Sequence, residues 1–188
     1  MSLIAATQIP KPADEQAFER ASVPLWAKLL DDPNVPRNGR RGQRQNGVDL
    51  YGIRDGDTDH YVGIQCKLKS DGHTLSGKEV RDEVAKALTF KPALKEDFIT
   101  TTAPDDVAMQ ELARTITGEL RKAGRTMLVS VWGWNTLEEK ISQDAEARNL
   151  FDPTYTPHSA VILEETRKVS SGQAEIAAQL TMIETLLK

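Results

Sequence analysis

The sequence predicts an α/β fold in which helices pack on a mixed β-sheet. Three observations carry that reading. Residues 61–68 alternate so that Val62, Ile64, Cys66 and Leu68 share one apolar face of a strand. The run 126–132 (TMLVSVW) is almost continuously apolar, as expected of a strand buried at a central position of a sheet. Segments with helical periodicity separate the later strand candidates, which favours parallel pairing there.

The elements follow in order. Residues 1–12, with Pro10 and Pro12, read as an extended lead-in. A helix is predicted from about Asp14, because Phe18, Ser22, Leu25, Trp26 and Leu29 recur at helical spacing. Pro24 falls within that pattern, so the segment is read as a kinked helix or two abutting ones. Pro33 and Pro36 mark a break, with a short strand around Val35. A strand opening on Asp49, the turn-rich acidic loop Asp55–His60 and the strand ending at Lys67 form an antiparallel hairpin.

Ser76 and Glu79 fit a capping box, with Leu75 and Val80 as its staple, and open a helix reaching about Phe90. Val80, Val84, Ala87 and Leu88 form its inward stripe. Residues 96–102 read as a strand, and 104–122 as a helix with Val107, Leu112, Ile116 and Leu120 inward and Gly124 as terminator. Asn135 and Glu138 suggest a second capping box, opening a helix that ends before Pro153.

Near the end the pattern changes. Ile162, Val169, Ile176 and Ile183 recur every seven residues, with Leu180 and Leu187 as companions, although Thr166, Gln173 and Ser170-Ser171-Gly172 weaken the seam. The expected organisation is a catalytic unit over 1–158 and a C-terminal helix over 159–188. That helix would associate with a second copy as a homo-oligomer, pack on its own domain, or lead into further domains.

Composition excludes several classes. No apolar run approaches the roughly 20 residues that cross a bilayer, so no membrane partner is expected. The start of the chain lacks the basic flank and length of a signal peptide. One cysteine excludes an intramolecular disulfide and suits a reducing, cytoplasmic setting. Cys66 alternates with apolar neighbours and reads as a buried, inert thiol. The three histidines are scattered, and no P-loop or G-x-S-x-G pattern occurs. Asp55, Asp57 and Asp59 alternate like part of a calcium loop but lack its glycine and distal glutamate, and read as a solvated turn.

The chemistry concentrates around the hairpin. Tyr61, Gly63, Gln65 and Lys67 share the strand face opposite Cys66, with Gly63 read as a small opening. With suitable register, Asp49 lies near Gln65 and Lys67. A carboxylate, an amide oxygen and an ammonium on one surface suit one hard cation and one water. The net charge of −4 does not mark a nucleic-acid binder, but Arg37, Arg40, Arg41 and Arg44 fall within eight residues that contain no acid, just before Asp49. Such a run is either a solvated loop or a phosphate contact.

The residues from Gly39-Arg40-Arg41-Gly42-Gln43, through Gln45-Asn46-Gly47-Val48-Asp49, to Gly63-Ile64-Gln65-Cys66-Lys67 together resemble the PD-(D/E)xK nuclease superfamily in its Mrr-like branch, where a glutamine replaces the usual acid before x-Lys. The resemblance covers most of the chain and fades toward its end. It implies a three-layer restriction-endonuclease-like core and Mg²⁺-dependent cleavage of double-stranded DNA, with Mn²⁺ able to substitute. Asp49, Gln65 and the Cys66 backbone carbonyl would hold the ion, and Lys67 would position or activate water. Glu19 would add an acid from the first helix, and Arg37, Arg40, Arg41, Gln43 and Arg44 would touch DNA. The implied setting is the effector part of a restriction or anti-phage defence protein. The alternative is a nuclease-like domain with a defective site, kept for nucleic-acid binding or assembly.

Overall fold

A computed structural model of the chain describes residues 8–39, 47–155 and 169. Arg40, Arg41, Gln43 and Arg44 lie outside the described residues, as does the 159–188 helix apart from Val169. The chain divides into two compact units, Met1–Pro153 and Thr154–Lys188, and all the named elements belong to the first.

Helix α1 spans Glu15–Leu30, and its N-terminus is closed by Asp14, whose side chain accepts from Ala17 N–H at 2.7 Å. It runs through Pro24 as one element, with Phe18, Ala21, Ser22, Leu25, Trp26 and Leu30 buried. The segment around Val35 forms only an isolated antiparallel bridge, Arg37 to Leu50. Strands β1 (Leu50–Ile53) and β2 (Tyr61–Lys67) pair antiparallel, with Leu50 opposite Ile64. Strands β3 (Glu96–Thr101) and β4 (Leu128–Trp132) then add in parallel, giving the mixed order β1-β2-β3-β4.

The crossover helices α2 (Gly77–Ala87) and α3 (Val107–Lys122) cover one face of this sheet. Both connections step the same way across the sheet, and crossovers of one hand place successive helices on the same side. Their buried Val80, Val84, Ile116 and Leu120 meet Val48, Ile99, Val129 and Val131. The other face is covered by α1 together with α4 (Trp134–Ser142) and α5 (Ala145–Phe151). Here Phe18, Trp26, Trp134 and Phe151 pack on Val62, Ile64, Cys66 and Phe98. The fold is thus the three-layer α/β arrangement that the sequence predicts.

Several local expectations are corrected. Gly63 is not an opening: a Cβ there would lie 2.6 Å from Leu94 Cδ1, so the space is filled by the chain entering β3. The apolar run of β4 reads as central, yet among the described residues β4 is the last strand, and Leu128 is 45% exposed. Its hydrophobicity has another cause, because Val129 and Val131 face α3 while Trp132 stacks on Trp26 with ring centroids 5.2 Å apart. Val107, expected inward, is exposed at the first turn of α3.

The segment after β4 forms two helices rather than one, because Asp144 caps a new start by accepting from Ala147 N–H at 2.7 Å. Asn135 does not cap α4. That helix begins at Trp134, and Asp105, from the β3–α3 connection, accepts from Thr136 N–H and Oγ1 at 3.1 and 2.8 Å. Glu138, the would-be partner in the box, instead accepts from Ile9 N–H. The box at Ser76 and Glu79 forms as expected.

Asp97 on β3 is 1% exposed, and neither carboxyl oxygen has a hydrogen-bond partner among the described residues. Burial, and secondarily the Glu83 charge, pushes it from 3.8 up to about 8. A raised carboxyl contributes stability that is fully present below pH ~4 and is lost as pH climbs through about 8. Asp97→Asn should therefore remove this pH dependence. In urea titrations it should exceed the parent at pH 8.5, by at most about 6 kcal/mol, but not at pH 4. Parallel pH profiles for the two proteins would show that Asp97 does not titrate in this range.

Candidate active site

The candidate site lies where β1 begins and β2 ends, because both faces of the sheet are covered and the strand ends remain. The approach to β1 is fixed first. Gly47 has φ +68°, and a Cβ there would meet Lys86 Cβ at 2.7 Å and the Glu83 carbonyl oxygen at 3.0 Å. Only glycine allows this left-handed turn to press against α2. Asn38 Nδ2 donates to the Val48 carbonyl at 2.9 Å, and Asp49 N–H donates to the Ile64 carbonyl at 2.8 Å. Because Ile64 is also the register partner of Leu50, this bond holds Asp49 beside the Ile64–Cys66 stretch of β2.

That placement joins the Asp49 and Gln65 side chains. Asp49 Oδ2 accepts from Gln65 Nε2 at 2.9 Å and from the Cys66 backbone N–H at 2.8 Å. A carboxylate can only accept, so the amide must present its NH₂ group to Asp49 and turn its oxygen away. Gln65 Oε1 is buried and has no hydrogen-bond partner among the described residues. Asp49 is 5% exposed. Burial pushes it from 3.8 up to about 6; the Cys66 N–H opposes that shift and the Glu19 charge adds to it.

Lys67 turns toward α2, where its Nζ donates to Glu83 Oε1 at 2.8 Å. Lys86 Nζ donates to the same oxygen at 2.9 Å. Burial works against the Glu83 charge, but the two ammonium groups outweigh it and hold Glu83 below the usual carboxylate range. Sequence reading did not single out Glu83. The signal was available, since the residue lies beside Val84 and at helical spacing from Val80 and Ala87, on the inward side of α2.

Glu19 on α1 lies at the same end and is raised by its burial, against the pull of Arg37. Arg37 Nη1 stands 3.8 Å from Glu19 Oε2, so the described member of the basic run pairs with an acid of this chain. The Cys66 thiol is buried and pushed far up by desolvation, as expected of an inert sulfur. Thr100 Oγ1 donates to the Gln65 carbonyl at 2.8 Å and so ties β3 to the site.

Three functional groups are thus in contact: the Asp49 carboxylate, the Gln65 amide and the Cys66 N–H. Lys67 shares β2 with Gln65 and Cys66 but is engaged elsewhere. No group of three or more His, Cys, Asp or Glu side chains suited to a metal ion occurs among the described residues. The oxygen donors on hand are Asp49 and the unpaired Gln65 Oε1, and a hard divalent cation accepts that chemistry.

No family model and no curated protein matches the chain. Among solved structures it is similar to the DNA modification-dependent restriction endonuclease AspBHI, at 17% identity and a TM-score of 0.42, over 81% of this chain and 42% of that one.

The raised Asp49 has a measurable consequence. Its folded value of about 6 exceeds 3.8, so its contribution is fully present below pH ~4 and is lost as pH rises through about 6. Asp49→Asn should melt higher than the parent at pH 7.5, by the equivalent of about 3 kcal/mol, and no higher at pH 4. Equal melting temperatures at both pH values would mean that Asp49 is not desolvated.

Proposed function

We propose that the chain is a Mg²⁺-dependent DNA endonuclease domain, the effector part of a restriction or anti-phage defence protein acting on double-stranded DNA in the cytoplasm. One observation carries the reading: the buried Gln65 amide gives its NH₂ to Asp49 and leaves its oxygen, turned away from that contact, without a hydrogen-bond partner among the described residues. An acceptor without a donor, next to an acid whose charge is penalised, is the arrangement a cation would relieve.

Asp49 would hold Mg²⁺ through an anionic oxygen, with Gln65 Oε1 and the Cys66 carbonyl as neutral donors; Mn²⁺ would serve similarly. Bound there, the ion would supply charge relief at the scissile phosphate and a more acidic water. The remaining chemistry belongs to the chain. The Cys66 N–H and the Gln65 amide orient Asp49. Lys67 would place the attacking water, take its proton, or offset charge developing on the phosphate. Glu19 adds negative charge that the neutral Gln65 does not provide. Arg37, Arg40, Arg41, Gln43 and Arg44 would hold the DNA backbone, a role that fixes position without reading sequence.

The second reading is a nuclease-like domain used for binding or assembly. It draws on Lys67, whose ammonium is engaged by Glu83 rather than free. Plasmid cleavage separates the two. The parent should nick or linearise plasmid with Mg²⁺ and not with a chelator, and Asp49→Ala and Lys67→Ala should each lower the rate by about 100-fold or more while remaining folded. A variant that cuts at the parent rate removes its residue from the mechanism.

Mg²⁺ should also raise the melting temperature of the parent and leave Asp49→Asn unchanged, a readout independent of catalysis. Replacing Arg40, Arg41 and Arg44 with alanine should weaken binding to all duplex sequences alike. The log–log salt slope should fall by roughly 0.9 per lost phosphate contact, and an unchanged slope would return the run to a solvated loop.

A further inference from the structure

Glu83 is one buried carboxylate with two cations on the same oxygen. Its side chain is 9% exposed, whereas Lys67 is 25% and Lys86 is 56% exposed. A buried carboxylate left with no cation is strongly penalised, but a single cation neutralises it. The second ammonium is therefore surplus. Lys86 reaches Glu83 from three residues further along α2 and needs no movement to stay there. Lys67 comes from a different element, at the end of β2, two residues beyond Gln65 and on the same strand face. It is the cation that can be lent.

We propose that Glu83 and Lys86 form a release device for Lys67. Glu83 is a positioning residue that parks the Lys67 ammonium at the end of β2. When a substrate phosphate draws Lys67 away, Lys86 remains on Glu83 as its counter-ion. The device rests on the nuclease reading, since the phosphate that claims Lys67 is the scissile one or its neighbour. It also gives the paired Lys67 a meaning other than a defective site, because the pairing is built to be broken cheaply.

The signature is a rescue. In Lys86→Ala the buried carboxylate has only Lys67, which is then held back, so kcat/KM for plasmid cleavage should fall roughly tenfold, within the range for coupled charges in one network. In the double variant Glu83→Gln/Lys86→Ala no negative charge holds Lys67, only a neutral acceptor, and kcat/KM should recover severalfold above that of Lys86→Ala. A double variant as slow as Lys86→Ala, or slower, overturns the proposal, because a Lys86 that contacts DNA or merely supports α2 gives no rescue.

A second measurement on the full chain needs no activity: acylation of the Lys67 amine, followed by mass spectrometry. Labelling should be severalfold slower in Lys86→Ala and faster in Glu83→Gln than in the parent. Unchanged labelling in both variants overturns the device even if the parent cuts DNA. A parent that cuts no DNA under any metal condition overturns the nuclease reading instead, while labelling still decides whether Glu83 and Lys86 control Lys67.

Discussion

The site depends on the two hydrogen bonds that end on Asp49 Oδ2. One comes from the Gln65 side chain and one from the Cys66 backbone, so a single oxygen is tied both to a side chain and to the main chain of β2. Slipping the hairpin by one residue would break both bonds and send Leu50 and Ile64 from the core to the wrong face. The register of the sheet and the geometry of the site are therefore the same constraint. Core packing enforces it: Leu50, Val62 and Ile64 are completely buried against the α1 layer, while Val48 is buried against the α2 layer.

Covering the sheet on both faces decides where chemistry can occur. Five consecutive residues of β2, Val62–Cys66, are buried, so the middle of the strand cannot meet a macromolecular substrate. What remains is the end of β2, where the next strand to pair in parallel also terminates. Thr100 and Thr102 reinforce this end, since Thr102 Oγ1 exchanges bonds with the backbone of Lys69 at 2.7 and 3.1 Å. Ligands in open α/β sheets gather at the carboxyl ends of strands for the same steric reason.

Three acids on the sheet show how burial is handled differently with function. Glu96 is surrounded by donors, with Arg54 bidentate on it and His60 at 2.7 Å, and its charge is held below the usual range despite burial. This cluster ties the start of β3 to the β1–β2 hairpin and acts structurally. Asp49 receives two donors and remains raised. Asp97 receives none among the described residues and is raised furthest of the three.

The sequence by itself determined whatever depends on local pattern. Helical spacing from Phe18 to Trp26 defined α1, Ser76 and Glu79 defined the start of α2, and the alternation of β2 separated Cys66 from Gln65 and Lys67, as the structure has them. These follow from backbone periodicity and from bonds made within a few residues. Only the tertiary structure decided that Asp49 bonds to the Gln65 side chain, that Leu94 fills the space at Gly63, that Asp105 rather than Asn135 caps α4, and that β4 stands last in the sheet among the described residues. It also decided that Lys67 rests on Glu83. Each of these joins groups from different elements, and an apolar run or a lone glycine reads the same whatever the fold sets against it. Periodicity states which face a side chain takes; only packing states what waits on that face.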